Sequence, residues 1–226
     1  PTTEIYCRNK NAPEVEIWNI VFNEFMCAGS REDLLAGKAS LLPLAKKGID
    51  TGMGLERLVL VVQKKSNIFE TDLFSPIIGE IRGKNLYDSD KNTHSERIVA
   101  DHLRAAVFLI ADGVLPSNVE RGYILRRLLR RAIRHARLLN LPEDTYERVA
   151  HVIFHDIFKE VYPELGTKKK NIIKTILTEK EKFLKTLDRG LKEFEKITTP
   201  VISGQTAFDL YQSYGFPIEM LEELAK

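Results

Sequence analysis

Asp50-Thr51-Gly52-Met53-Gly54-Leu55-Glu56-Arg57 is the stretch on which the fold turns. Before it, Lys47 to Thr51 reads as a short strand. After it, the dense apolar run Leu55 to Gln63 (LERLVLVVQ) reads as a buried helix from its length and context. Gly52 and Gly54 let the backbone approach a ligand at the helix N-terminus, where free N–H groups and the helix dipole favour an anion. Arg57, one turn in, is within reach of a phosphate. Asp50, just before the turn, can hold a cation or an ammonium group. A lone G-x-G is often no more than a tight turn, whereas G-x-G-x-x-R between a strand and an apolar helix is a much more specific pattern.

Working outward, Val15 to Met26 (VEIWNIVFNEFM) is rich in β-branched and aromatic residues and predicts a strand. Asp72 is a candidate N-cap for a helix over Leu73 to Ile81. The first ninety residues are therefore mixed. The polar run Tyr87 to Ser95 (YDSDKNTHS) is the best candidate for a domain boundary. Ser95 is a candidate cap for a helix from Glu96 to Ala111, with Ile98, Val99, His102, Leu103, Ala106, Val107 and Ile110 on one face. After the Gly113- and Pro116-containing loop 112–118 comes a long helix, then a helical stretch from Pro142 to Val161. A longer helix is expected over Lys168 to Ile197, and two short ones in the tail, divided at Gly215-Phe216-Pro217. There is no internal repeat. The expected class is α+β, with the strands early and the helices late.

The 112–118 loop leads into the most charged segment of the chain. Seven arginines and no acidic residue lie between Arg121 and Arg137. At about 100° per residue, Ile124, Leu125, Leu128, Leu129, Ala132, Ile133 and Ala136 share one side of a helix. Arg126, Arg127, Arg130, Arg131, Arg134 and Arg137 share the other. A solvated helix normally mixes acidic and basic residues in i,i+4 pairs. Crowded like charges need an acidic partner, either carboxylates elsewhere in the fold, such as Glu160 or Glu164, or a phosphate backbone, which suits the bidentate donor set of arginine. A nucleic-acid phosphate backbone is the preferred reading for the row as a whole, and the row by itself does not say which nucleic acid.

Composition adds limits. The 226 residues are 43% apolar, enough for a packed core, and the formal net charge is only +2, so local clustering carries the inference about partners. Cys7 and Cys27 have no metal-ligand or redox spacing. No apolar run approaches the roughly 20 residues of a membrane span, and a cytoplasmic location is expected. His151 and His155, four apart on an expected helix, could share a metal, but no third ligand accompanies them and the spacing lacks a zinc-hydrolase glutamate. Lys168-Lys169-Lys170 reads as a solvated helix end.

Several words together resemble one family. The Gly52-to-Arg57 segment resembles motif 3 of the class II aminoacyl-tRNA synthetases. Glu16-Ile17-Trp18-Asn19, Asp50 through Arg57, Ala100-Asp101-His102-Leu103-Arg104, Ala111 through Asn118, Arg121-Gly122-Tyr123-Ile124-Leu125-Arg126-Arg127, and Thr206-Ala207-Phe208 through Pro217 resemble the alanyl-tRNA synthetases, in that family's order. The resemblance implies that Asp50 holds the substrate α-amino group, that Gly52 and Gly54 line the same pocket, and that Arg57 contacts ATP; Asp50 and Arg57 are thus the expected catalytic pair. It also implies that Glu16 and Asn19 help hold Mg²⁺–ATP. Residues three apart on a regular strand face opposite ways, so either a bulge intervenes or only one of the two reaches the site. Trp18 is expected in the core, and His102 and Arg104 in helix packing.

The resemblance further implies that Asn118 reads a G·U wobble pair in the acceptor stem of alanine tRNA, since a side-chain amide can donate and accept at a base edge. Capping of the arginine helix is the simpler role for Asn118. The family's partner reader, an aspartate, is replaced here by Gln212, which keeps an acceptor and loses the charge. Arg121, Arg126, Arg127, Arg130, Arg131 and Arg134 are the expected tRNA contacts.

The chain opens on Pro1 without an initiator Met, and by this resemblance it is a fragment. Motifs 1 and 2 are expected upstream, and the editing domain and zinc site beyond Lys226, so no zinc site is expected here. The expected organisation is residues 1–90 from the end of an antiparallel class II aminoacylation domain, then residues 91–226 as a helical tRNA-recognition domain. The expected function is that of an alanine–tRNA ligase using ATP and Mg²⁺, with the isolated fragment inactive. A stand-alone RNA-binding module that has lost catalysis is the alternative.

Overall fold

The computed structural model describes residues 2–8, 14–83, 89–197 and 201–214, with 221, 222 and 224. The chain forms two compact units, Pro1–Leu73 and Phe74–Lys226. The first carries an antiparallel sheet and the second is helical, an α+β protein as expected.

In the first unit, β1 (Thr2–Cys7), β2 (Val15–Cys27) and β3 (Leu41–Met53) form a sheet in the order β1-β2-β3. The short helix α1 (Arg31–Leu35) sits between β2 and β3 in sequence, its start fixed by a Ser30/Asp33 capping box. Helix α2 (Leu55–Val62) follows β3 through Gly54. β2 matches the β-branched run read from sequence. β3 is much longer than the expected Lys47–Thr51, because cross-strand pairing with β2 holds Pro43 and Gly48 in an extended chain that their own propensities disfavour. Pairing is interrupted between Asn23 and Phe25, where Asn23 faces Gly48 and Phe25 faces Pro43. Among the described residues of this unit only Leu60 and Thr71 are buried, and Ile5, Phe22, Ile49 and Met53 are exposed.

The second unit contains α3 (Ser75–Arg82), α4 (Ser89–Ala111), α5 (Glu120–Leu138), α6 (Thr145–Val152), α7 (Glu164–Phe194) and α8 (Gly204–Tyr214). Its core is the expected apolar stripe of α4 (Val99, Leu103, Ala106, Val107, Ile110) against Leu125, Leu129, Ala132 and Ile133 of α5, with Ile172, Ile176, Phe183 and Leu187 of α7 also buried. Arg82 makes a forked ion pair with Glu96, whose carboxylate is buried, and so ties α3 to α4 (Nη2 to Oε2 2.8 Å).

Several expected boundaries shift. Asp72 does not cap α3: the cap position is Phe74, with proline in the first turn, and the Asp72 amide instead donates to Gln63. Ser95 lies inside α4, because the polar run from Ser89 onward is helical, and its hydroxyl faces His135 at 3.0 Å. The 142–161 stretch is not one α-helix. It passes at Ile153–Ile157 into a wider π turn, which keeps Ile153 and Phe154 buried. Helix α7 starts four residues earlier than expected, so Lys168 is within it, and its ammonium donates to the Ala111 carbonyl at the end of α4 (2.7 Å). The division expected at Gly215-Phe216-Pro217 lies outside the described residues.

Candidate functional site

The expected ATP-site residues converge on one face of the sheet because of a bulge. β1 pairs Ile5 with Trp18 and Tyr6 with Glu16, so Ile17 is an extra residue on β2. Without it, Glu16 and Asn19 would point to opposite faces. With it, Glu16 falls opposite Tyr6, and Asn19 opposite Glu4, on one face. Across the other edge of β2, Asn19 faces Gly52 and Val21 faces Asp50. Alternation along β3 then places Asp50 and Gly52 on that same face.

The segment after β3 completes the bulge. The Gly54 amide donates to the Ile17 carbonyl (3.3 Å), and Arg57 Nη1 donates to the Glu16 carbonyl (3.1 Å) while lying 3.5 Å from the Glu16 carboxylate. These bonds give partners to the Glu16 and Ile17 carbonyls beside the bulge. No side-chain hydrogen bond caps the first-turn N–H groups of α2, which lie beside Arg57. A Cβ at Gly52 would meet no protein atom within 4 Å, so open space lies over Asn19. The face offers carboxylates to a cation and a guanidinium with helix N–H groups to an anion.

Two residues of this face were not read from sequence. Glu4 accepts from Asn19 Nδ2 (3.3 Å) and from the Tyr6 hydroxyl (2.7 Å), and the latter bond pushes the Tyr6 phenol above its ordinary pKa. They lie on β1, whose short sequence TTEIYC shows too little apolar alternation to announce a strand. Trp18 is on the opposite face, where its indole donates to Thr51.

In the helical unit, Asn118 and Gln212 line one open cavity of about 400 Å³ together with Tyr123, Arg126, Arg127, Arg130 and Tyr211. Asn118 reaches it on a loop folded tightly over the start of α5. The Ser117 amide donates to the Gly122 carbonyl (3.0 Å), and a Cβ at Gly122 would lie 2.2 Å from Ser117 Oγ and 2.5 Å from the Leu115 carbonyl. Only glycine permits that approach. Asn118 does not cap α5: the cap position is Val119, and no side chain caps it. The Asn118 side-chain Oδ1 accepts from Arg126 Nη1 instead.

The arginine row is not a single solvated face. Arg130 Nε donates to Glu179 of α7 at 2.9 Å, and Arg126 Nε lies 3.3 Å from the same, buried carboxylate. Arg137 pairs with Asp188, and Arg131 Nη1 lies 3.4 Å from His102 Nε2. Among the described residues, Glu179 and Asp188 are thus acids that pair with the row, in place of the expected Glu160 or Glu164. Arg121 is exposed, while Arg127 and Arg134 are half-buried. On the expected apolar side Ile124 is exposed and His135 takes a buried place. His102, held also by Asp101 (2.9 Å), and Arg104, stacked 4.5 Å over Phe74, serve packing as expected.

His151 and His155 stack at 4.3 Å between ring centroids, and the described residues contain no group of three or more His, Cys, Asp or Glu side chains placed to hold a metal. Desolvation, helped by His151 and two lysines, lowers the His155 pKa. Among the described residues no helix is long and apolar enough to cross a membrane.

The sequence profile of the tRNA synthetases class II (A) matches residues 3–226, a span that takes in both the sheet face and the helical unit. The chain belongs to that family. It is 45% identical to the alanine–tRNA ligase of Elusimicrobium minutum over 97% of its own length, 44% identical to that of Fusobacterium nucleatum over 94%, and 43% identical to that of Bacillus subtilis over 99%. It spans only about a quarter of those proteins (26%, 25% and 26%).

Proposed function

We propose that this chain is part of an alanine–tRNA ligase, which activates alanine with ATP and transfers it to the 3′ end of alanine tRNA. The observation that carries the reading is the bulged strand: Glu16, Asn19 and Asp50 share one face, and Arg57 enters beside them from α2. In this reading residues 1–90 act in aminoacylation and residues 91–226 recognise the tRNA. Asp50 receives the α-ammonium of alanine, and Gly52 and Gly54 leave room for substrate against the backbone. Arg57 and the uncapped α2 amides bind phosphate oxygens, so catalysis rests on positioning and on charge stabilisation.

Magnesium accompanies ATP, and the donor set fits it, because Mg²⁺ is usually held by one or two carboxylates together with substrate phosphates. Glu16 supplies the carboxylate and Asn19 an amide oxygen. When bound, the ion neutralises phosphate charge.

Asn118 and Gln212, on one cavity, support recognition of the acceptor stem, with Arg121, Arg127, Arg131 and Arg134 contributing affinity for the phosphate backbone, while Arg130, expected among these contacts, is held by Glu179. A cytoplasmic location follows from the same reading. The test is twofold. A protein that carries this segment within the length of its relatives should charge alanine tRNA and catalyse alanine-dependent ATP–pyrophosphate exchange. The 226 residues alone should bind alanine tRNA without exchange. If the longer protein binds tRNA but never activates alanine, the ligase reading fails and a tRNA-binding module replaces it.

A further inference from the structure

Arg126 was expected among the phosphate contacts, but its guanidinium is already committed. Nη1 donates to the Asn118 side-chain oxygen, Nη2 donates to the Pro116 carbonyl (3.1 Å), and Nε lies 3.3 Å from the buried Glu179 carboxylate. Each contact uses a different nitrogen, so the guanidinium bridges the 116–118 loop to α7. Arginine has donors only, and the Asn118 atom facing it must therefore be the oxygen. That fixes the orientation of an amide which would otherwise be free to turn either end outward. The Asn118 nitrogen makes no hydrogen bond among the described residues, and it lies on the cavity shared with Gln212.

We infer that Arg126 is a positioning residue which, anchored by Glu179, holds Asn118 as a hydrogen-bond donor, so that Asn118 reads an acceptor on a base edge and not a donor. The inference rests on the proposed acceptor-stem recognition and deepens it. With its oxygen turned to Arg126, Asn118 presents its N–H to the ligand, such as to a pyrimidine carbonyl oxygen. Gln212, exposed and with no hydrogen bond among the described residues, keeps both an acceptor and a donor and is the group able to meet an exocyclic amine. Glu179 shares its carboxylate with Arg130, which lines the same cavity.

The experiment compares binding of two acceptor-stem hairpins, differing only in G·U against G·C, to the native chain and to Asn118→Asp, Arg126→Met and Arg126→Lys, across a salt series. Asparagine to aspartate is nearly isosteric, keeps the acceptor and removes the donor. N118D should therefore lose the G·U preference by about tenfold, the scale of one lost base contact. R126M should lose preference similarly while binding the G·C stem as before, with an unchanged salt slope. R126K, which retains one donor, should recover part of the preference. A phosphate contact behaves otherwise: R126M would weaken both stems alike and flatten the salt slope by about one. That result, or full preference in N118D, overturns the inference. N118D sits at an exposed position and keeps the test decisive if R126M unfolds. Equal binding of both stems by the native chain would instead overturn the acceptor-stem reading on which the inference rests.

Discussion

In the sheet unit Arg57 is 53% exposed and meets a carboxylate that is itself 31% exposed, whereas in the helical unit Arg126 and Arg130 are 22% and 15% exposed around a carboxylate at 3%. The first pair stands in water, where a single ion pair adds little stability and exchanges easily for a ligand. The second is a three-membered cluster withdrawn from water, where removing one member strands the others. Arginines that look alike in sequence thus divide into a group available for chemistry and a group that holds the fold and aims its neighbours.

The largest effect that tests this contrast is catalytic. In a protein of the relatives' length, Arg57→Ala should lower alanine-dependent pyrophosphate exchange by roughly 10²- to 10³-fold, the scale of one lost charge-stabilising donor. Its urea midpoint should move by less than about 1 kcal/mol equivalent. A variant that lost activity only by unfolding would erase the distinction between the two groups.

Glu179→Gln should do the reverse. It keeps the shape and removes the charge facing two guanidinium groups, and should destabilise the helical unit by about 3 kcal/mol in urea unfolding followed by helix circular dichroism. A cost below about 1 kcal/mol would place the Arg126–Glu179–Arg130 cluster with the exposed pairs.

The smallest effect is a pH dependence. Burial, reinforced by Glu143, holds the Tyr146 phenol well above its ordinary value of 10.0. Because the folded pKa is raised, the unfolded chain loses its proton first. Stability is then full below about pH 10 and falls as pH rises from there toward the folded pKa. Tyr146→Phe should flatten the alkaline limb of the stability curve above pH 10 and leave the neutral region almost unchanged. An alkaline limb of native steepness in the variant would show that burial of this phenol is not its source.

Much of this arrangement is legible in the residues. The strand Val15–Cys27, the Gly52–Arg57 turn into a helix, the apolar faces of α4, α5 and α7, and the pairing of Asn118 with Gln212 all follow from local pattern or family resemblance. β1 and the first half of β3 do not, since their hydrogen bonds come from β2 and their own residues make weak strands. The caps at Asp72 and Ser95 fail for a related reason. Polar residues that favour helix starts also tolerate other places once tertiary partners such as Gln63 and His135 are supplied.

By itself the sequence determined which chemical groups this protein owns and the periodicity that sorts them onto strands and helices, because period and propensity are local properties. The tertiary structure alone decided where those groups are spent. One extra residue at Ile17 turned Glu16 to the face of Asn19, since register belongs to a pair of strands and not to either one. Glu179, 49 residues from Arg130, took arginines out of the charged row, since Coulomb partners are chosen by distance in space.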